Sequence, residues 1–111
     1  MPNVKLFIDE TLYSARRAEI AAMLPPLRDS LCAEMSVPPA ACQIAVLAVM
    51  GLPGQPSANL EMQYLAKPDR TPAMIAAACA VFRDVVEAAL GSRPAVRATP
   101  LDPETYVALK L

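Results

Sequence analysis

The chain has 111 residues and contains no histidine, no tryptophan and only three glycines. Without histidine, proton chemistry near neutrality falls to carboxylates, Lys, Tyr, Cys or a terminal amine. Zinc sites usually draw on His and on closely spaced Cys. Cys32, Cys42 and Cys79 are far apart and form no Cys-x-x-Cys pair, so neither a metal site nor a metal cofactor is expected. A nucleophilic cysteine would lack its customary imidazole partner, and the three thiols read as buried, reduced, small hydrophobic groups. Basic runs are missing too: 10 Lys and Arg stand against 11 Asp and Glu, a net charge of −1, so nucleic acid is not an expected partner. The longest apolar stretch, IAVLAVMGLP, is too short to cross a bilayer. Lys5 and Asp9 interrupt the first apolar run, which lacks a signal-peptide layout; the expectation is a cytoplasmic protein with no membrane partner.

Apolar residues are plentiful instead. They make up 55% of the chain and the mean hydropathy is +0.34. A chain of this length suits one domain over residues 1–111, with a core that needs no disulfide or metal staple. The apolar surplus points to surface buried against further copies of the chain.

NVKLFID alternates, with Val4, Leu6 and Ile8 on one side and Lys5, Phe7 and Asp9 on the other, the pattern of a strand. In the following segment Ile20, Leu24, Leu27, Leu31 and Met35 share one helical face, with Ser14 as the expected N-cap. Pro25 and Pro26 fall in the middle. One kinked helix is favoured because the apolar phase runs through them; a second helix starting at Pro25 is the rival. QIAVLAV is apolar on both faces, as in a strand covered on each side. MGLPGQPSAN is a loop and LEMQYLA alternates again. Thr71 caps a helix that opens with Pro72 and stops at Gly91, with Met74, Ala78, Val81, Val85 and Ala89 as its expected buried face. AVRAT is a short strand, LDPE a turn, and TYVALKL an extended end.

The order is βαβ, loop, βαβ, then a short C-terminal strand. The two parts, about residues 2–50 and 58–111, read as weak repeats. Right-handed crossovers in both would give a four-stranded α/β (α+β) sheet with two helices on one face. The other face then needs cover from outside the chain.

A strand that starts directly at Pro2, two βαβ units in about this length, the connector-strand VPPAACQIAVLAV and the stretch LEMQYLAKPDRTPAM together resemble the tautomerase superfamily. Its members include 4-oxalocrotonate tautomerase, 5-carboxymethyl-2-hydroxymuconate isomerase and macrophage migration inhibitory factor. The resemblance implies a homotrimer with the sheets inside. It also implies a keto–enol isomerase of small unsaturated 2-oxo or 2-hydroxy acids, working without a cofactor. In such a protein Pro2 becomes a free secondary amine once Met1 is removed. An ordinary α-amine titrates near about 7.7–8.0, and an apolar pocket lowers that value toward neutrality, which suits a general base.

The enolate oxygen needs a positive or N–H partner. The short tautomerases have an arginine on the second strand where Gln43 stands. The inhibitory factor has a lysine before its Pro-Pro pair where this chain has Val37, and its last-strand tyrosine and asparagine fall against Arg97 and Thr99. Lys67, Arg97 and Arg70 are therefore the candidate substrate-binding cations, with Leu65 matching the position that lends a backbone N–H. Tyr64 and Tyr106 are read as packing, Arg16 and Arg17 as an exposed helix face, and Asp9 and Glu10 as solvated strand-end charges. The rivals to an active enzyme are a non-enzymatic ferredoxin-like binding or assembly module, which shares the βαββαβ order, and a tautomerase-fold protein with weak or lost activity.

Overall fold

The computed structural model describes residues 2–110. In chain order it has β1 (Asn3–Asp9), α1 (Glu10–Ala15), α2 (Arg17–Met35), a 3-10 turn (Pro39–Ala41), β2 (Gln43–Val49), β3 (Ala58–Leu65), α3 (Pro72–Leu90) and β4 (Ala95–Leu101). The sheet order is β2-β1-β3-β4. β1 runs parallel to β2, antiparallel to β3, and β3 runs parallel to β4. Each parallel pair is adjacent and joined by a helical crossover. In a ferredoxin-like split βαβ unit another strand separates the parallel pair, so that rival arrangement is not the one adopted.

β1 folds as its alternation dictates. Val4, Leu6 and Ile8 are buried against the helices together with Leu60, Met62 and Tyr64 of β3. Ile20, Met23, Leu27, Leu31 and Met35 of α2, and Ile75, Ala78, Phe82, Val86 and Leu90 of α3, complete this layer. Such residues each contribute about 1.5–3 kcal/mol when buried, so this face holds the fold together.

The first helical segment differs from its expected form in two ways. It begins at Glu10, because the Asp9 carboxylate accepts from the Thr11 N–H at 3.2 Å and caps the first turn in place of Ser14. It breaks at Arg16 (φ −122°, ψ 24°), nine residues ahead of the prolines. α2 then runs unbroken through Pro25 and Pro26. Both prolines are exposed, so the carbonyls they leave without a donor reach water, and the buried stripe passes behind them.

α3 confirms its punctuation. The Thr71 hydroxyl accepts from Met74 N–H at 3.2 Å, Pro72 opens the helix, and Gly91 ends it at φ 68°. Its buried face is rotated by about one residue from the expected one: Phe82, Val86 and Leu90 point inward, while Val85 and Ala89 pack half-buried at the flank. The larger side chains take the interior because they remove more apolar surface from water.

Within the chain β2 is an edge strand of the sheet, with Leu47 37% exposed. β4 is longer than expected and carries Pro100 opposite Tyr64, an edge position that tolerates a missing N–H. After it, Asp102 makes the expected turn: its carbonyl accepts from Thr105 and Tyr106 N–H groups, and its carboxylate accepts from Glu104 N–H at 2.9 Å. Residues 106–110 take no strand pairing within the chain.

The sheet face away from the helices is open. Register places Lys5 of β1, Glu61 of β3 and Arg97 of β4 in one row across it, with Ala45 of β2 at its end. Among the described residues no helix is long and apolar enough to cross a membrane.

Candidate active site

Pro2 is among the most completely buried side chains of the chain, at the head of β1. Its carbonyl accepts from the Gln43 N–H at 3.2 Å, which fixes the start of β1 against the start of β2. Beside it lies a hollow of about 470 Å³ lined by Pro2, Asn3, Gln43, Leu65, Pro103, Tyr106, Ala108, Leu109 and Lys110. Residues of three strands line it together with residues of the C-terminal segment.

Leu65 is the last residue of β3 and reaches this hollow. The Ala66 N–H donates to Leu101 on the β4 side at 3.0 Å. Donors alternate along a strand, so the Leu65 N–H points the other way, toward the head of β1. The last paired position of β1 and β3 is Asn3↔Gln63, so this N–H lies beyond the paired ladder. Pro2 and Leu65 are thus brought together.

The three candidate cations are not in that lining. Lys67 is exposed in the turn after β3. Arg97 is on the open face, where it donates to the Asn59 side chain; Asn59 in turn donates to Glu61 at 3.2 Å. Arg70 is buried, and its guanidinium donates to the Leu65 carbonyl at 2.8 Å and to the Met35 carbonyl at 3.3 Å. It thereby ties the end of β3 to the end of α2 and holds Leu65 in place from behind.

The hollow contains residues that the sequence reading gave no site role. Asn3, Gln43, Tyr106 and Lys110 are the polar residues among them. Asn3 and Gln43 are neighbours by register. Gln43 stood out in the sequence only as the residue replacing an arginine. Lys110 left no signal, because the C-terminal segment has no periodicity that would place it.

Among the remaining polar candidates, Asp9 and Arg17 have structural partners. Asp9 caps α1. Arg17 lies 5.9 Å from the centre of the Tyr13 ring, a cation–π distance. Tyr64 is buried on the helix side of the sheet. Cys42 has its thiol pushed up to about 11 by burial, then by the hydrogen bond and charge of Cys32, with Arg28 opposing the shift. Burial also raises Cys79. A second hollow of about 380 Å³ lies at the far end of β1, among Phe7, Asp9, Val49 and the loop from Gly51 to Ser57. Among the described residues that line it there is no cation.

No protein-family sequence model matches the chain, and no curated protein matches it by sequence. Solved structures do match its shape. A protein of unknown function from Vibrio cholerae superposes with a TM-score of 0.76 at 18% identity, over 96% of this chain and 83% of the other. A fused 4-OT, described as an asymmetric trimer, gives 0.76 at 14% identity, over 96% of this chain and 91% of the other. Pt0534 inactivated by 2-oxo-3-pentynoate gives 0.71 at 16% identity, over 96% and 90%. With the β2-β1-β3-β4 sheet and both crossover helices on one face, the chain has the fold of the tautomerase superfamily.

Proposed function

We propose that the protein is a keto–enol isomerase of a small unsaturated 2-oxo or 2-hydroxy acid, with Pro2 as general base after loss of Met1. The observation that carries this reading is the burial of Pro2 beside a hollow that Leu65 also lines. Apolar walls disfavour the charged amine, so a free Pro2 nitrogen sheds its proton more readily than a solvated one. The neutral nitrogen takes a proton α to a carbonyl. The electron pair moves onto oxygen, where the Leu65 N–H and the Asn3 and Gln43 amides are in reach of the same space. The nitrogen then returns the proton at a conjugated carbon, which shifts the double bond. Lys110 is the cation of the hollow and suits the substrate carboxylate; Lys67 and Arg97 would serve only at the rim or toward a neighbouring copy. No cofactor enters the scheme, and the setting is taken as cytoplasmic.

The protein is also read as a homo-oligomer, a trimer by analogy with the fused 4-OT. The apolar edge strand β2 and the exposed Met50 and Leu52 beside it support association of copies. In a trimer the open sheet faces would look toward the common axis.

The test combines three measurements. Intact mass should show a chain that begins at Pro2. 2-Oxo-3-pentynoate, an electrophilic alkyne that a neutral secondary amine attacks, should add one reagent mass to the N-terminal peptide. Phenylenolpyruvate ketonisation should fall about 10²–10⁴-fold in Pro2→Ala, the range expected for loss of a positioned base. Retention of Met1, or equal rates in a folded Pro2→Ala protein, would overturn the reading.

A further inference from the structure

Cys32 and Cys42 are ten positions apart in sequence, and their Sγ atoms stand 3.4 Å apart. Both ends of the pair are fixed by backbone. Cys32 sits in the last turns of α2, where its carbonyl accepts from the Val37 N–H at 3.1 Å and from the Ser36 N–H that closes the helix. Cys42 ends the 3-10 turn with its N–H on the Pro39 carbonyl at 3.0 Å. A disulfide bond is about 2.05 Å long, so the sulfurs need to approach by little more than about 1 Å, a movement that side-chain rotation supplies.

The pair is also accessible. Both cysteines are only partly buried, and Cys42 lines an open hollow of about 270 Å³ with Leu24, Pro25, Arg28 and Ile44. Cys79 on α3 has no second sulfur in contact among the described residues. Two thiols in contact, one of them lining a hollow, are arranged for a reaction that a solitary thiol cannot complete.

We propose that Cys32 and Cys42 form a reversible dithiol–disulfide pair that is oxidised by a small hydroperoxide. One sulfur, as thiolate, attacks the peroxide oxygen; the O–O bond breaks and the alkoxide or hydroxide leaves with a proton. The sulfenic acid so formed is then attacked by the second sulfur, which loses its proton; the S–O bond breaks and water leaves. Two thiols and one hydroperoxide give one disulfide, one alcohol or water, and one water. A low-molecular-weight thiol reverses the change by two exchanges, with itself oxidised to a disulfide. Burial and the Cys32 contact raise Cys42, so its thiolate forms late, and the 3.4 Å contact keeps a second sulfur at hand when either one is oxidised. Cys42 also precedes Gln43, whose N–H holds the Pro2 carbonyl, so the bond forms one residue from the wall of the Pro2 hollow.

The experiment uses the purified full chain, treated with a modest excess of hydrogen peroxide and quenched with an alkylating agent. Wild type should lose the mass of two hydrogens, regain it with dithiothreitol, and keep Cys79 open to alkylation. Cleavage after Glu34 and Glu61 without reductant should yield a linked pair of peptides, one with Cys32 and the other with Cys42, from a single chain. Cys32→Ser and Cys42→Ser should each abolish the loss of two hydrogens, and Cys79→Ser should not. Oxygen addition to the three cysteines at equal rates, links between chains only, or a link that involves Cys79 would overturn the proposal. The peptide map of wild type decides the matter even if a serine variant fails to fold, and it is independent of any isomerase activity.

Discussion

Arg70→Ala separates a structural guanidinium from a substrate-binding one. Arg70 is 8% exposed and is the one charged side chain among the buried residues described. Its two bonds, 2.8 Å to the Leu65 carbonyl and 3.3 Å to the Met35 carbonyl, span the end of β3 and the last residue of α2. Hydrogen bonds to a charged group contribute about 1.5–3 kcal/mol each, and the longer one belongs at the low end. A cation at a helix C-terminus adds about 0.3–1 kcal/mol. Against this stands the relief of desolvating one charge, worth part of that sum. The net expectation is about 2–3 kcal/mol of lost stability, which lowers Tm by roughly 8–15 °C in a domain of this size. Arg70→Lys keeps the charge but only a point donor, and should lose about half as much. Urea titration at fixed protomer concentration, with an unchanged m-value, is the assay. A loss below about 0.5 kcal/mol in Arg70→Ala, the size of an ordinary surface change, would refute the carbonyl tie.

Leu47→Glu places a carboxylate on the open face of the edge strand, opposite Phe7 in register. Sedimentation should show smaller particles with the helical signal intact, and an unchanged mass would remove β2 from the interface between copies. Alkylation of Cys42 by iodoacetamide should keep rising about tenfold per pH unit above 9 and level off only near 11, because its folded form holds the proton more tightly than a free thiol. A plateau near 9, as in the unfolded peptide, would contradict that environment.

Elements with strong local rules were legible in the sequence. β1 has a two-residue alternation and α3 has Thr71-Pro72 at one end and Gly91 at the other, and both form accordingly. The early start of the first helical segment was hidden because its cap, Asp9, doubles as the last residue of β1. The phase of α3 was ambiguous because adjacent positions, such as Val85 and Val86, are equally apolar; only the helix layer decides which turns inward. β2 reads the same whether helices or other chains cover it, so its edge position is a property of topology rather than of its residues. At the candidate site, Pro2 and Leu65 were legible through the resemblance, and both line the hollow. Asn3, Tyr106 and Lys110 could not, since the fold brings them there from separate ends of the chain. The cations chosen by likeness, Lys67, Arg97 and Arg70, lie outside the hollow because residue type does not encode where a side chain is tethered.

The two borders of the sheet are chemically unequal. On β4, Pro100 withholds an outward amide and Arg97 stands nearby, devices that discourage a visiting strand. On β2, the outward amides and carbonyls belong to Ile44, Val46 and Ala48, with neither proline nor charge to repel one. Growth by strand addition is therefore polar: a newcomer is welcomed on one flank and refused on the other. Two β2 flanks pair with each other in a self-complementary contact that closes at two copies, so a ring of three requires the newcomer to be a segment other than β4.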